Sequence, residues 1–508
     1  MAVEINFNDP DKAVTPKIQN PFYDAVEHDK AGRRKEAERI YLELLNADFE
    51  NGVLLAALGM NYAVAEKNGL AHVLLAKSLE RLPHMVEDFK KLGIIPKQEG
   101  PDFEVKFLAM KRSEIMNALG TCFKHENKTE EARKCFEDAQ AGMDTNPDIQ
   151  NNLGTIYINE GNPADAMRHL NLALSVAPEH AQAHWNLALA QLESGDYANG
   201  WKNYEYGFKA QVRQERNYSK EPIPYWDGSP GKRIVVFGEQ GIGDEILFAS
   251  CLPDLIACSK SVVFECHKKL HTLFANSFPG IDIFPTREDE VITWPVRQDG
   301  TQKYEFDARV AIGSLPSFFR NDISTFPAKP YISPTPKAEA YWADRLAALG
   351  NKPKIGISWI GGHKRTRMEV RSTPLESLLP ILQKDATFIS LQYTPCEQEI
   401  AEFEKKHGIK IHHFPDACYS HNYDDTAGLV SNLDLVITVC TSVVHLAGSM
   451  GVPTWVLTPS RPAWRYRLDL DYLPWYPGSV LFRQATGSTN WAPVVEEVAN
   501  AFPTITKE

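Results

Sequence analysis

A 34-residue period in the first 214 residues limits the possible folds of this chain more than any other feature. Leucine followed by a small residue recurs at Leu119, Leu153 and Leu187, each 34 residues after the previous copy. A period of this length is typical of repeated helix pairs in which each pair stacks on the next. The middle copy also carries, in order, Gly154, Tyr157, Gly161, Ala166, Ala173 and Pro178. Because small residues let helices pack closely and proline ends a helical unit, we expect an α-solenoid.

The period and the residue pattern are typical of the tetratricopeptide repeat. We predict a repeat domain over residues 1–214, with an insertion at 86–112 where Gly and Pro break the phase. The five predicted repeats cover residues 18–51, 52–85, 113–146, 147–180 and 181–214. Such a stack holds an extended segment of a partner protein on its concave face.

Asparagines recur at matching positions on the first helices of these repeats. They are Asn117, Asn151, Asn152 and Asn186. An asparagine amide can pair with a peptide backbone in either direction, so these residues are candidates for binding an acceptor peptide. Solvation or local hydrogen bonding explains them equally well at this stage.

The second half of the chain alternates short apolar runs with helical stretches, which predicts parallel α/β structure. We expect one lobe at 225–326 and a second at 337–505, joined by the proline-rich residues 324–337. The predicted strands are 234–237, 262–265, 281–284, 306–310, 355–359, 387–391, 409–412, 434–439 and 453–457. Two doubly wound lobes bind a ligand in the cleft at the carboxyl ends of their strands.

Charge and composition exclude several classes of function. The formal net charge is -12, which argues against general binding to nucleic acid or to a membrane surface. The first residues lack a basic and apolar leader, and no apolar run approaches the length of a membrane span, so we expect a cytoplasmic protein. The eight cysteines form no close pair, so neither a disulfide framework nor a zinc site is expected.

The stretch "VVFGEQGIGDEILFAS" joins a predicted strand to a predicted helix through a glycine-rich turn. Its glycines follow neither the dinucleotide nor the P-loop pattern, and Asp244 places negative charge where a pyrophosphate would bind. Asp244 is therefore either the N-cap of the helix or a general base. Glu239 is the competing carboxylate in this turn.

Two segments of the second lobe combine into a predicted diphosphate site. "HKRTRMEVR" places Lys364, Arg365, Arg367 and Arg371 just after a predicted strand, a run that alone is usually a solvated loop. "DLVITVCTSVVHLAG" ends a strand and begins a helix with Thr441 and Ser442, followed one turn later by His445. A helix N-terminus beside a cationic loop suits a diphosphate.

These motifs together resemble a known family: bacterial tetratricopeptide-repeat proteins with a glycosyltransferase domain related to heptosyltransferases. The matching stretches include "WDG", "GEQGIGDEILFASCLPDL", "RSTPLESLLPIL", "DDTAGLVSNLDLVITVCTSVVHLAGSMGVPTWVL", "WRY" and "PWYPGSVLFRQ", in order over nearly all of 224–505. Flagellin-modifying transferases have a similar domain order. The resemblance implies an α-solenoid followed by a GT-B fold, two Rossmann-like lobes facing a cleft, with the acceptor on the first lobe and the nucleotide sugar on the second.

The resemblance also implies roles for individual residues. Asp244 matches the position of the catalytic base, and Arg371 matches a phosphate-binding residue. Cys440, Thr441, Ser442 and His445 correspond to a D-T-G-x-x-H segment that contacts the diphosphate and the sugar. Cys440 stands where the family has an aspartate, and a thiol is a poor hydrogen-bonding partner. Further candidates around the cleft are Lys364, Glu239, Gln240, Gly243, Gln392 and Tyr393.

We therefore expect an inverting glycosyltransferase that uses a nucleotide sugar, needs neither a metal nor a cofactor, and modifies a protein held by the repeats. One alternative is transfer to a glycan or lipid precursor, with the repeats serving assembly. The other is a scaffold in which the transferase lobes no longer catalyse, an interpretation that rests on Cys440.

Overall fold

The computed structural model describes residues 20–94, 101–216, 218, 223–290, 294–295, 303–327, 329–362 and 367–502. The chain divides into two compact units. The first comprises residues up to Ile156 together with Leu172–Pro178, and the second comprises Tyr157–Asn171 and all residues from Glu179 onward. The boundary therefore runs through two helices of the repeat region.

The repeat region consists of successive helices joined by short turns. They are α1 (Pro21–Lys30), α2 (Arg34–Ala47), α3 (Gly52–Val64), α4 (Asn68–Arg81), α5 (Met85–Lys91), α6 (Pro101–His125), α7 (Thr129–Gly142), α8 (Pro147–Glu160), α9 (Pro163–Val176), α10 (Ala181–Glu193) and α11 (Tyr197–Tyr204). The predicted helix pairs are confirmed. Small residues do bring the paired helices together, since a Cβ on Gly59 would lie 2.8 Å from Leu75 Cγ.

The region predicted as an insertion at 86–112 is largely helical. It contains most of α5, and residues 101–112 form the first half of α6, which continues into the following repeat as one helix of 25 residues. The Gly and Pro residues that broke the sequence phase lie at Gly93 and at the start of α6, with residues 95–100 outside the described residues. The insertion thus lengthens a repeat helix.

The second unit also contains two parallel sheets. The strands are β1 (Arg233–Phe237), β2 (Ser261–Glu265), β3 (Asp282–Phe284), β4 (Ala308–Ala311), β5 (Lys354–Ser358), β6 (Thr387–Ser390), β7 (Ile411–His413), β8 (Leu435–Val439), β9 (Thr454–Thr458) and β10 (Ser479–Arg483). Their orders are β3-β2-β1-β4 and β10-β9-β8-β5-β6-β7. We call these the four-stranded lobe and the six-stranded lobe. The central strands β1, β5 and β8 are almost wholly buried, as expected for parallel strands covered on both faces.

Helices separate the strands along the chain. They are α12 (Ile242–Phe248), α13 (Leu252–Cys258), α14 (His271–Ser277), α15 (Pro316–Phe319), α16 (Pro336–Ala347), α17 (Met368–Arg371), α18 (Leu379–Leu382), α19 (Glu397–His407), α20 (Pro415–Cys418), α21 (Tyr423–Ser431), α22 (Ser442–Ser449) and α23 (Ala492–Ala501). One continuous core includes residues of α11, of both lobes and of the loop before β10, among them Trp201, Phe248 and Trp464. This shared core fixes the carboxyl ends of β1 and β8 relative to each other.

Candidate active site

The glycine turn after β1 leads directly into α12. Gly241 is the N-cap residue of α12, and no side chain caps this end of the helix. Asp244 lies in the first turn instead, so the interpretation of Asp244 as the N-cap is wrong. A carboxylate in the first turn of a helix is nevertheless favoured by the helix dipole.

Asp244 forms an ion pair with an arginine of the six-stranded lobe. Its Oδ1 accepts a hydrogen bond from Nη2 of Arg465, which lies in the loop between β9 and β10. Both side chains are mostly buried, with 23% of Asp244 and 15% of Arg465 exposed. Sequence reasoning missed Arg465, because its partner is far away in the chain. The only signal for it is the "WRY" stretch, in which Arg465 is the central residue.

The competing carboxylate, Glu239, is committed to a structural contact. Its Oε1 accepts hydrogen bonds from Nη2 of Arg213 at 3.0 Å and from the backbone N–H of Gly313 at 3.2 Å. The side chain is 1% exposed, and burial raises the pKa of this carboxyl. Gln240 bonds to the Tyr204 hydroxyl of α11 at 2.8 Å. Both residues therefore join the turn after β1 to its surroundings, while Asp244 remains the carboxylate that faces the other lobe.

Gly243 allows the two lobes to meet at α12 and α22. A Cβ on Gly243 would lie 2.9 Å from Cδ2 of His445 and 3.3 Å from Cα of Ser442. Real Cβ atoms almost never approach a neighbour that closely, so only glycine fits without a shift. The glycine is explained by this close approach.

The first turn of α22 contains three of the predicted donor-binding residues. Thr441 is its N-cap, and Oγ1 accepts a hydrogen bond from the Val443 N–H at 3.1 Å. Ser442 is hydrogen bonded through its hydroxyl to that of Tyr423 at 3.2 Å. His445 is buried, and its Nδ1 lies 3.2 Å from the Tyr476 hydroxyl.

His445 contributes no positive charge to this site. Burial, together with the neighbouring Arg465 guanidinium, holds the pKa of His445 well below its usual range. The imidazole is therefore neutral near pH 7, where it can donate or accept one hydrogen bond at each nitrogen but cannot form an ion pair.

Cys440 directly follows β8 and is buried just before α22. Burial raises the pKa of its thiol to about 11, so the sulfur stays protonated at neutral pH. Its Sγ lies 3.9 Å from the Leu457 carbonyl, and the thiol also interacts with the Tyr466 hydroxyl. Cys440 is thus a small apolar residue here and not a strong hydrogen-bonding group for a sugar.

Gln392 and Tyr393 hold the loop that follows β5. Oε1 of Gln392, which is fully buried, accepts bonds from the backbone N–H groups of Trp359 at 3.3 Å and Ile360 at 3.1 Å. The Tyr393 hydroxyl accepts a bond from the Gly362 N–H at 2.9 Å. Lys364, which the sequence predicts for the diphosphate site, lies outside the described residues, as does Arg365.

Guanidinium groups surround the carboxyl end of β8. Arg371 donates from Nη1 to the Cys440 carbonyl at 3.4 Å, and Arg371, Arg465 and Arg483 all interact electrostatically with the Cys440 thiol. We call these three residues the arginine cluster. Nε of Arg371, Nε of Arg465 and Nη1 of Arg483 are buried without a hydrogen-bond partner in the described part of the chain. Buried donors without acceptors are costly, so the cluster is suited to an anion.

The repeat asparagines are partly bonded to one another. In the first unit, Asn152 Nδ2 donates to Asn117 Oδ1 at 2.9 Å, and Lys124 Nζ donates to Asn152 Oδ1 at 2.9 Å. Asn151 is buried, and Asn186, in the second unit, accepts a bond from Gln182 at 3.3 Å. Asn117 also lines a cavity of about 290 Å³ in the first unit, together with Met60, Val64, Thr121 and Ile149. Peptide recognition by these asparagines stays a prediction.

Across the described residues, no helix combines the length and the apolar character needed to cross a bilayer. The same residues contain no group of three or more His, Cys, Asp or Glu side chains that could hold a metal ion.

Comparison with known proteins identifies the repeats. Residues 123–192 match the family described as tetratricopeptide repeat. The chain is 27% identical to Protein FlbA of Caulobacter vibrioides, over 92% of this chain and 86% of that protein. The chain therefore contains tetratricopeptide repeats, as the period predicts.

Solved structures of repeat proteins align with only part of the chain. The crystal structure of MamA is 19% identical and covers 37% of this chain and 94% of MamA, with a TM-score of 0.24. YrrB, described as a TPR protein with an unusual peptide-binding site, is 16% identical and covers 38% of this chain and 85% of YrrB, with a TM-score of 0.25.

Proposed function

We propose that the chain is a glycosyltransferase of the GT-B type that moves a sugar from a nucleotide-sugar donor to an acceptor, with inversion and without a metal. One observation carries the proposal. The Asp244 carboxylate of the four-stranded lobe meets, through Arg465, a group of buried arginine donors at the carboxyl end of β8. A base on one lobe and a cationic leaving-group site on the other are the two parts that such a reaction needs.

The arginine cluster suits the diphosphate of the donor. Displacement of a nucleoside diphosphate leaves negative charge on the departing phosphate, and preorganised cations at that position lower the barrier. Arg371 and Arg483 have no carboxylate within ion-pair distance among the described residues, so their charge is available to an anion. Thr441 contributes the N-terminus of α22 beside them.

Arg465 links the two halves of the reaction. Its guanidinium pairs with Asp244. A bound diphosphate, with more negative charge than one carboxylate, competes for the same guanidinium. Transfer of Arg465 to the phosphate would leave Asp244 free to take the proton of the acceptor hydroxyl as that oxygen attacks the sugar carbon.

The acceptor that the architecture favours is a protein. Tetratricopeptide repeats bind extended segments of other proteins, and the repeats here precede the two lobes in one chain. Transfer to a glycan or lipid precursor is the alternative within the same chemistry. In that case the repeats would serve assembly. Blocking the contact between the repeats and a partner protein would then leave the rate of sugar transfer unchanged.

A non-catalytic scaffold is the second candidate function. Cys440 supports it, because the buried neutral thiol replaces a group expected to hold sugar hydroxyls. Asp244 and the three guanidinium groups gathered at the carboxyl end of β8 support catalysis instead, since a scaffold does not need a carboxylate of one lobe to face a cationic group of the other.

Calorimetry with nucleoside diphosphates tests the donor site. Arg371→Ala should weaken binding of the preferred nucleoside diphosphate by about 1.5–3 kcal/mol, roughly 10- to 150-fold, because a charge-assisted hydrogen bond is lost. Arg345→Ala is the matched control, since Arg345 pairs with Asp416 on the surface of the same lobe. Equal affinities of wild type and Arg371→Ala for the nucleoside diphosphate would show that the arginine cluster is not the donor site.

A further inference from the structure

The loop between β9 and β10 carries three arginines that reach in different directions. We call residues 460–467 the arginine loop; it contains Arg461, Arg465 and Arg467. Arg465 holds Asp244, as described above. The other two arginines bind turns between helices of the repeat region, and all of these residues belong to the second unit.

Arg461 binds the carboxyl-terminal end of α8, next to the turn that leads into α9. Its Nε donates to the Asn159 carbonyl at 3.0 Å and its Nη2 donates to the Ile158 carbonyl. The turn residue Gly161 has φ +83°, and a Cβ there would collide with the Arg461 guanidinium. Two backbone carbonyls and the glycine therefore form the binding site of the Arg461 side chain.

Arg467 binds the next equivalent turn, between α10 and α11. Nη1 of Arg467 donates to the Tyr197 hydroxyl at 3.1 Å. Gly195 has φ +81°, and a Cβ there would collide with the Arg467 guanidinium. Gly161 and Gly195 are 34 residues apart, one full repeat, so the two guanidinium groups pack on the equivalent glycine of two consecutive helix pairs, although their hydrogen-bond partners differ.

The segment between these two arginines has little freedom. Trp464 is 9% exposed and packs against Trp201 and Trp475, with ring centroids 5.5 and 5.7 Å apart. Arg483 Nη2 donates to the carbonyls of Tyr466 at 3.1 Å and Arg467 at 2.7 Å. The backbone around Arg465 is therefore held on both sides.

We propose that Arg461 and Arg467 are positioning residues. They fix the arginine loop on two successive repeat turns and thereby set the place of Arg465 against Asp244. A change in the spacing of those turns, such as a partner protein bound to the repeats could cause, would alter the Asp244–Arg465 pair. Any effect on sugar transfer rests on the function proposed above, whereas the positioning itself does not.

Hydrogen exchange of α12 in the full-length protein tests the positioning directly. The substitutions Arg461→Ala and Arg467→Ala remove the contacts between the arginine loop and the repeat region without adding backbone strain. We expect amide exchange in residues 244–248 to become about tenfold faster in each variant, because Asp244 loses a fixed partner across the lobe interface. Exchange in α12 at the wild-type rate, with faster exchange only in the arginine loop, would overturn the proposal.

Glycine variants supply a matched comparison. Gly161→Ala and Gly195→Ala displace the two guanidinium groups, while Gly32→Ala changes a turn glycine of similar φ, +73°, with nothing within 4 Å of its Cβ position. All three variants place an alanine at a similar positive φ. Faster exchange in α12 of Gly161→Ala and Gly195→Ala, but not of Gly32→Ala, is therefore expected only if the two arginines position Arg465. Equal effects of all three would contradict it.

A double variant distinguishes an effect of Arg467 through Arg465 from a general destabilisation of the structure. Arg465→Ala alone should speed exchange in α12, and adding Arg467→Ala should give no further increase if Arg467 acts through Arg465. Additive increases would refute that route. These readouts need no turnover. If the protein processes no nucleotide sugar, the proposed function fails. The exchange rates would still show whether Arg461 and Arg467 position Arg465.

Discussion

At the scale of single residues, the proposed mechanism depends on the Asp244–Arg465 pair. Removing one member of a mostly buried pair leaves an uncompensated charge, so neither residue is replaceable without cost. Asp244 was identifiable from its place after the glycine turn, and Arg371 and His445 from their places in the second lobe. Arg465 was not, because contacts between distant parts of a chain leave no local pattern.

His445 gives a prediction about pH. Its folded-state pKa lies well below the unfolded value, so its stabilising contribution is fully present above about pH 6.5 and is lost as the pH falls below that value. The free energy of unfolding of the wild type should fall below pH 6.5 more steeply than that of His445→Gln, by up to about 1.4 kcal/mol per pH unit.

Urea unfolding of the two proteins between pH 5 and 8 measures this difference. The exposed His421 provides the control, and His421→Gln should follow the wild-type curve. Parallel curves for wild type and His445→Gln would mean that His445 is not held neutral in the folded protein.

At the scale of secondary structure elements, sequence patterns predicted most of the architecture. Within the described residues there are ten strands, and nine of them were predicted with ends within two residues of those observed, because β-branched runs bounded by turn residues mark buried parallel strands. The strand β10 was missed. It is an edge strand with Val480 exposed, and it follows a loop rich in Trp, Tyr and Pro that shows no strand pattern.

The contact between α12 and α22 gives the prediction at this scale. Gly243→Ala should lower the free energy of unfolding by about 1–3 kcal/mol, because the new methyl group would force α12 away from His445 and Ser442. Gly280→Ala is the control in the same lobe, since nothing lies within 4 Å of its Cβ position. We expect thermal unfolding to separate the two variants clearly. A Gly243→Ala protein as stable as Gly280→Ala would show that the two helices can move apart freely.

At the scale of the whole molecule, the end of the repeat region is part of the second unit. Trp201 of α11 is buried and donates from Nε1 to the Arg320 carbonyl at 2.8 Å. Tyr204 of α11 is buried beside Phe248 and Trp464. The predicted domain boundary at residue 214 followed the repeat period, and no sequence pattern reports which helices share a core with a later domain.

Truncation at two points tests this sharing. A fragment of residues 215–508 loses α11, and with it three buried aromatic side chains, Tyr197, Trp201 and Tyr204, whose removal costs about 3–5 kcal/mol each. We expect it to lack a cooperative thermal transition, whereas a fragment of residues 179–508, which keeps α10 and α11, should retain one. Circular dichroism distinguishes the two outcomes. Equally sharp transitions would show that the lobes fold without α11.

Turnover of nucleotide sugars tests the central proposal most directly. The measurement is release of nucleoside diphosphate from a panel of nucleotide sugars by wild type, Asp244→Asn and the exposed control Asp289→Asn. We predict that wild type and control release it from at least one donor, and that Asp244→Asn is slower by about 10²- to 10⁴-fold yet still binds the product, because the variant loses the proton acceptor and keeps the arginine cluster proposed to hold the diphosphate. A folded wild-type protein that releases nothing from any donor, or an Asp244→Asn protein as fast as wild type, would contradict the account.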